Sequence, residues 1–213
     1  MKGVKFGSYH SYYEWGLILS EKEIQSPEPK TNYIEVEGSD SVLDYTEYFG
    51  DIKYKNRLLS FKFTKMNVIP DGFLALYSLV QDTIHGRKMQ IILDDDPAYY
   101  YLGRVKINEW KSSKKIGEIV IEVDAEPYKY KLEETVVTKA VTGSATITLN
   151  NSRKKVVPLI TTNAEMTIAF NGYSGTFSAG TFTIPELELV EGNNTVTVSG
   201  TGNISFVYRE GRL

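Results

Sequence analysis

Residues 71–107 read DGFLALYSLVQDTIHGRKMQIILDDDPAYYYLGRVKI, and this stretch decides the fold. Phe73, Leu76, Tyr77, Val80 and Ile84 recur at helical spacing, so they share one stripe of a helix over about 71–85. Pro70 and Asp71 supply its start, because proline needs no amide partner there and aspartate can accept from free N–H groups. Gly86 ends it, and Arg87 and Lys88 suit the negative end of the helix dipole. His85 falls in the last turn, where the dipole favours histidine. A strand follows at Met89-Gln90-Ile91-Ile92-Leu93, then the turn Asp94-Asp95-Asp96-Pro97, then a second strand from Tyr99 to Ile107. One helix docked on a hairpin, with strands on either side, describes a mainly β domain covered by a single helix.

Working outward, alternation predicts half-buried strands at Leu59-Ser60-Phe61-Lys62-Phe63-Thr64 and Ile119-Val120-Ile121-Glu122-Val123-Asp124-Ala125. Alternation resumes at Tyr33-Ile34-Glu35-Val36-Glu37, with Ile34 and Val36 on one face and the carboxylates on the other. Ser26-Pro27-Glu28-Pro29 is a break, since two prolines cannot sit in a paired central strand. Residues 42–49 carry a further aromatic cluster around Asp44 and Glu47.

Composition changes near residue 135. Residues 1–135 hold 18 Lys+Arg and 22 Asp+Glu, whereas residues 136–213 hold 6 and 5 but thirteen of the eighteen threonines. Such a shift divides the chain into 1–135, an N-terminal β-barrel or sandwich-like domain with one helix, and 136–213. The second part reads as short strands separated by turns at Asn150-Asn151, Asn171-Gly172, Ala179-Gly180, 191–194 and Thr201-Gly202. That pattern predicts a small β-sandwich of jelly-roll or galectin-like type.

Several functions are disfavoured. The chain has no cysteine and two histidines, His10 and His85, which removes thiolate chemistry and argues against histidine-rich metal sites. A net charge of −3 gives no reason to expect nucleic acid as a partner. Lys114 and Lys115 read as a solvated turn. No apolar run is long enough to predict a membrane span, and the first six residues do not read as a signal peptide. The three Asn-x-Ser/Thr triplets therefore read as turns and not as glycosylation sites. No Gly-x-Ser-x-Gly elbow or phosphate loop is present, and Glu118, Glu122 and Asp124 alternate with apolar residues so as to face solvent. The expectation is a non-enzyme without a cofactor.

Two features stay in play. Asp94, Asp95 and Asp96 could ligate Ca²⁺, but the spacing of a helix–loop–helix calcium site is missing, and an acidic hairpin tip explains them better. The chain also holds 15 tyrosines and 2 tryptophans, residues suited to interfaces and sugar sites or, for Trp15 and Trp110, to a core. Trp15, Tyr99, Tyr100, Tyr101 and Arg104 are the candidate interface residues.

The order of the pieces resembles the distal tail proteins of long-tailed, non-contractile bacteriophages. The likeness runs through Val4-Lys5-Phe6, Trp15-Gly16-Leu17, Ile34-Glu35-Val36-Glu37-Gly38, Leu43-Asp44, Phe49-Gly50, Tyr54 and Asn56-Arg57. It continues through His85-Gly86-Arg87-Lys88, Asp95-Asp96-Pro97 and Tyr99-Tyr100-Tyr101-Leu102-Gly103-Arg104, and closes on Tyr208-Arg209-Glu210-Gly211. The resemblance implies a structural protein of the virion tail tip, made in the bacterial host cytoplasm. Six copies would form a ring through the N-terminal domains, with the C-terminal sandwiches outward. Implied partners are the chain itself as a homohexamer, the major tail or tube protein, a tail-tip or tail-fibre protein and, in some members, receptor-binding proteins. Ser20 to Lys30 is the segment expected to reach a neighbour. The alternative reading is a carbohydrate-binding β-sandwich protein.

Overall fold

The computed structural model describes every residue except Met1, Phe49, Val68 and Lys114, and the backbone alone of Pro70 and Asp71. The readings placed on Phe49, on Lys114 and on the Asp71 side chain lie outside the described residues. The protein is mainly β, with one α-helix among the described residues, and divides into two compact units, 1–127 with Leu213 and 128–212. The division falls at Pro127, ahead of the composition shift, so residues 128–135 go with the second unit.

In chain order, the first unit contains β1 (Val4–Phe6), β2 (Tyr9–His10), β3 (Ile18–Ile24), β4 (Tyr33–Ile34), β5 (Leu43–Asp44) and β6 (Arg57–Met66). Helix α1 (Pro70–Ile84), β7 (Lys88–Leu93), β8 (Tyr99–Ser112) and most of β9 (Ile116–Lys131) follow. Its main sheet runs β2-β1-β7-β8-β9-β6-β3. The sheet curls, so that the Phe6 ring on β1 packs with its centre 6.0 and 6.1 Å from those of Phe61 and Phe63 on β6. The acidic tip after β7 ties neighbouring segments together. Asp94 accepts from the Gly3 amide at 2.6 Å and from His10 Nε2 at 3.0 Å, while Asp95 pairs with Lys22 of β3.

Helix α1 follows from its stripe. Phe73, Val80 and Ile84 are buried, with Leu76 and Tyr77 partly so. Burying a side chain such as Phe73 contributes about 1.5–3 kcal/mol. The helix covers more than the hairpin: Tyr77 stacks on Trp110 of β8 at 5.1 Å. The Phe73 ring lies where a Cβ on Gly117 of β9 would stand, 2.3 Å away, so glycine makes that seat. Ile69, not Asp71, occupies the N-cap, without a side-chain cap bond. Gly86 ends the helix at φ +74°, a left-handed conformation that glycine takes freely. His85 departs from the dipole reading: its Nδ1 accepts from the Ile107 amide at 3.1 Å, so its ring ties the helix end to β8.

The second unit contains the end of β9 and β10 (Thr135–Asn151), β11 (Leu159–Thr162), β12 (Met166–Phe170), β13 (Tyr173–Phe177) and β14 (Gly180–Thr183). It closes with β15 (Gly192–Tyr208) and β16 (Gly211–Arg212), the latter paired with Tyr130 and Lys129 of β9. The expected short strands are corrected here. Residues 195–208 form one strand, not two with a turn at Thr201-Gly202, and Asn150-Asn151 ends β10 and is not a turn. β10 and β15 pair without a break from Thr135↔Tyr208 to Asn151↔Gly192. On its other edge β15 pairs first with β12, at residues 197–200, and then with β11, at residues 204–207. Gly200 lies at the change of partner, opposite Gly143, and both have positive φ (+145° and +81°) that side chains resist. The bent sheet closes as a β-sandwich over Leu149, Ile160, Ile168, Val198, Ile204 and Phe206. At its base Glu210 accepts from Thr135 at 2.6 Å, Ser152 at 2.7 Å and Lys131 at 3.1 Å.

Candidate assembly surface

The chain leaves the first sheet after Ile24, so the expectation that Ser20 to Lys30 forms the excursion is corrected at both ends. Ser20 to Ile24 lie in β3, with a register irregularity between Leu19 and Glu21 where the Ser20 hydroxyl donates to the Lys62 carbonyl at 2.9 Å. Pro27 and Pro29 then deny amide donors to continued pairing with β6. The excursion returns only at Asn56. Its two limbs pair with each other: the Lys55 amide donates to the Glu28 carbonyl at 2.8 Å, and the Lys30 amide to the Lys53 carbonyl at 2.7 Å. Farther out the Tyr45 amide donates to the Asn32 carbonyl at 2.8 Å, and β4 meets β5 with Ile34 opposite Leu43. Residues 25–56 are thus a two-limbed arm.

The arm exposes what a strand normally hides. Ile34 is 46% and Leu43 47% exposed, and Tyr33, Val36, Val42 and Tyr48 are exposed as well. The alternating strand read over 33–37 is corrected to Tyr33–Ile34, and the face that carries Ile34 and Val36 stays exposed. Residues 31–51 also carry Glu35, Glu37, Asp40, Asp44, Glu47 and Asp51 and no lysine or arginine. Hydrogen bonds from the Thr46 hydroxyl and amide hold the Asp44 carboxyl below the usual range, so this charge persists.

The arm's root is firmly held. The Gln25 amide donates to the Leu58 carbonyl at 3.1 Å, and Asn56 Nδ2 donates to Asp124 at 2.9 Å. The buried Arg57 guanidinium donates to the Pro127 carbonyl and lies 5.5 Å from the centre of the Tyr101 ring. Burial lowers the Arg57 pKa, and the Tyr101 hydroxyl partly offsets this. Beside the root is a groove of about 310 Å³, lined mostly by apolar atoms, with Leu58 on its wall. Arg104 and Lys106 of β8 and Glu122 and Asp124 of β9 edge it, and the helix end at His85-Gly86 adjoins them.

Of the residues singled out by sequence, Trp15 is 4% exposed in the core, and its ring stacks on the exposed Tyr9. Tyr100 and Tyr101 are buried and Tyr99 is half-buried, so the tyrosine run is a packing element whose exposed neighbour is Arg104. Arg104 donates to the Gly86 carbonyl at 2.6 Å. Asp94 and Asp95 turn to separate partners, and no group of three potential metal ligands stands together among the described residues. Glu118 and Glu122 are half-buried and pair with Lys62 and Lys106, and Asp124 is exposed. In the sequence Arg57 figures only in the family likeness, and neither its buried seat nor the groove could be read there, because both depend on strands far apart in the chain.

No family model matches the chain, and no curated protein matches it. One solved structure aligns over 100% of both chains with a TM-score of 0.71 at 13% identity. It is the crystal structure of SPP1 Dit (gp 19.1), described as a paradigm of the hub adsorption apparatus in Gram-positive infecting phages. This chain shares its fold. At that identity the likeness speaks for architecture from end to end and leaves individual residues to be argued on their own chemistry.

Proposed function

We propose that the chain is a structural hub of a phage tail tip. In this reading six copies close into a ring through residues 1–135, with the sandwich of 136–213 outward. The ring joins the tail tube to the tail-tip or fibre protein, and it carries no catalytic step. Whole-chain likeness to a protein described as a paradigm of the hub adsorption apparatus of phages supports the class of function. The observation that carries the ring itself is the arm. A hairpin that displays Ile34, Val36 and Leu43 to water lacks the burial that normally holds two strands together. A ring is built from heterologous contacts, in which one patch meets a different patch on the next copy, and a projecting arm is such a patch.

Light scattering over a range of concentrations tests this. The expected mass is near six times the 24.1 kDa chain, falling to one chain when residues 31–51 are replaced by a short glycine–serine turn. A chain that stays monomeric at millimolar concentration, or a ring that survives loss of the arm, would overturn the role given to it.

A further inference from the structure

We propose that the arm of one copy docks on the outer face of α1 of a second copy. This rests on the ring reading and names the receiving surface. Among the described residues of the first unit, the exposed large apolar side chains fall into three places. Tyr9 and Tyr13, in the first turn, rest on the rings of Trp15 and His10. Tyr33, Ile34, Val36, Val42, Leu43 and Tyr48 belong to the arm. The rest, Met66, Ile69, Leu74, Leu79 and Ile116, gather on and around α1. A ring contact joins two different patches of one chain, and the arm and the helix face are the two that offer apolar surface to water.

The shape of the helix face suits a hairpin. The inner stripe of α1 packs on the sheet, and its outer side presents Leu74, Ala75, Ser78 and Leu79, all exposed. Positions three and four apart are neighbours on a helix, so the small Ala75 and Ser78 lie between the two leucines and leave a shallow trough. The apolar face continues past the helix start. There the Ile69 carbonyl accepts from the Phe73 amide at 2.9 Å, Phe73 lies over Gly117, and the adjacent Ile116 pairs with Met66. On the arm, Ile34 and Leu43 lie opposite each other in register and form one ridge, the complement of such a trough.

Charge agrees. Residues 31–51 carry six carboxylates and no cation, so an acidic surface would repel the arm, and a surface with charges of its own would have to give up their water. From Gly72 to Gln81 the helix has no charged residue. The first is Asp82, and Arg87 is held beside it by donating to the Asp82 carbonyl at 2.9 Å. The groove beside the arm root differs, since Lys106 is already paired with Glu122, Asp124 accepts from Asn56, and Val105 is buried. Reach permits the contact. From Gln25 to the turn at Gly38 the extended limb spans about 40 Å at about 3.3 Å per residue. A compact unit as long as the first has a radius of gyration of about 14 Å, hence a diameter of about 36 Å.

The absence of cysteine makes the test direct. Ile34→Cys and Ser78→Cys in one chain should give, under mild oxidation, a ladder of covalent oligomers up to the ring. Either cysteine alone should give dimers at most. A ring of unchanged mass with no ladder, or one that gives a ladder only when Lys106→Cys replaces Ser78→Cys, overturns the helix seat and leaves the ring standing. A cross-link within one chain overturns the seat by showing that the arm folds back on its own copy. A monomer without cross-links at any concentration overturns both readings. As a second readout, Leu74→Glu with Leu79→Glu should weaken assembly by about tenfold or more. The helical circular dichroism should stay unchanged, because both side chains are exposed. Adding Ile34→Lys and Leu43→Lys should restore assembly, and absence of rescue overturns the contact.

Discussion

The arm and the β10–β15 ribbon are both antiparallel two-stranded ribbons, and they solve the same problem in opposite ways. The ribbon bends at Gly143 and Gly200, takes β12 and β11 along its second edge, and buries Val198, Ile204 and Phe206 within its own unit. Among the described residues no third strand pairs with β4 or β5, and Tyr33, Ile34, Val36, Val42 and Leu43 stay exposed. A β pattern thus fixes which side chains share a face. Whether that face is covered depends on what else the chain folds against it.

If this contrast is right, equal insults should have unequal effects. Phe206→Ala, in a fully buried position, should cost about 3–5 kcal/mol in urea unfolding. Ile34→Ala should change monomer stability by less than about 0.5 kcal/mol while weakening assembly. Equal losses would erase the distinction. Gly200→Val should come next, at about 1–3 kcal/mol. Its backbone is in a region side chains avoid, and an added Cβ would stand 2.9 Å from the Glu165 carbonyl oxygen. A stability within error of wild type would show that the ribbon does not need its glycine bend.

A smaller effect concerns the ribbon's base. Burial alone would raise the Glu210 pKa, but hydrogen bonds from Thr135, Ser152 and Lys131 outweigh it and hold the carboxyl below 4.5. A depressed folded pKa gives stability that is fully present above pH 4.5 and is lost as pH falls through the folded value. Glu210→Gln should therefore flatten the melting temperature below pH 4.5, where wild type declines. The smallest expected change is Asp44→Asn. It should leave the melting temperature unaltered, because that carboxylate is on the exposed arm and its Thr46 bonds are solvated.

The sequence was legible where a pattern is local. Phe73, Val80 and Ile84 state a helix, Gly86 its end, and the acidic tip the turn of the hairpin, all within one short stretch. It was misleading where two structures write the same letters. Ser199-Gly200-Thr201-Gly202-Asn203 resembles a turn, yet it is a bend inside a paired strand. Ile34 and Val36 alternate like core residues, yet both stay exposed. For the assembly surface, the clue available in sequence was the run 31–51, apolar and acidic without one cation. The groove could not be read, since Leu58, Arg104 and Glu122 come together only through the order β8-β9-β6.

The pairing of β10 with β15 also sets a timetable. The ribbon joins segments between which β11 to β14 must be threaded, and even its nearest pair, Asn151↔Gly192, closes a long loop. Loop closure of that kind is entropically expensive and slow, whereas the helix and hairpin of the first unit need only near neighbours. On the ribosome the sandwich must therefore wait for β15, and its inner strands pass through synthesis unpaired on that edge. Pulse-labelled hydrogen exchange during refolding should find amides of β11 and β12 protected in step with β10, and later than those of β7 and β8.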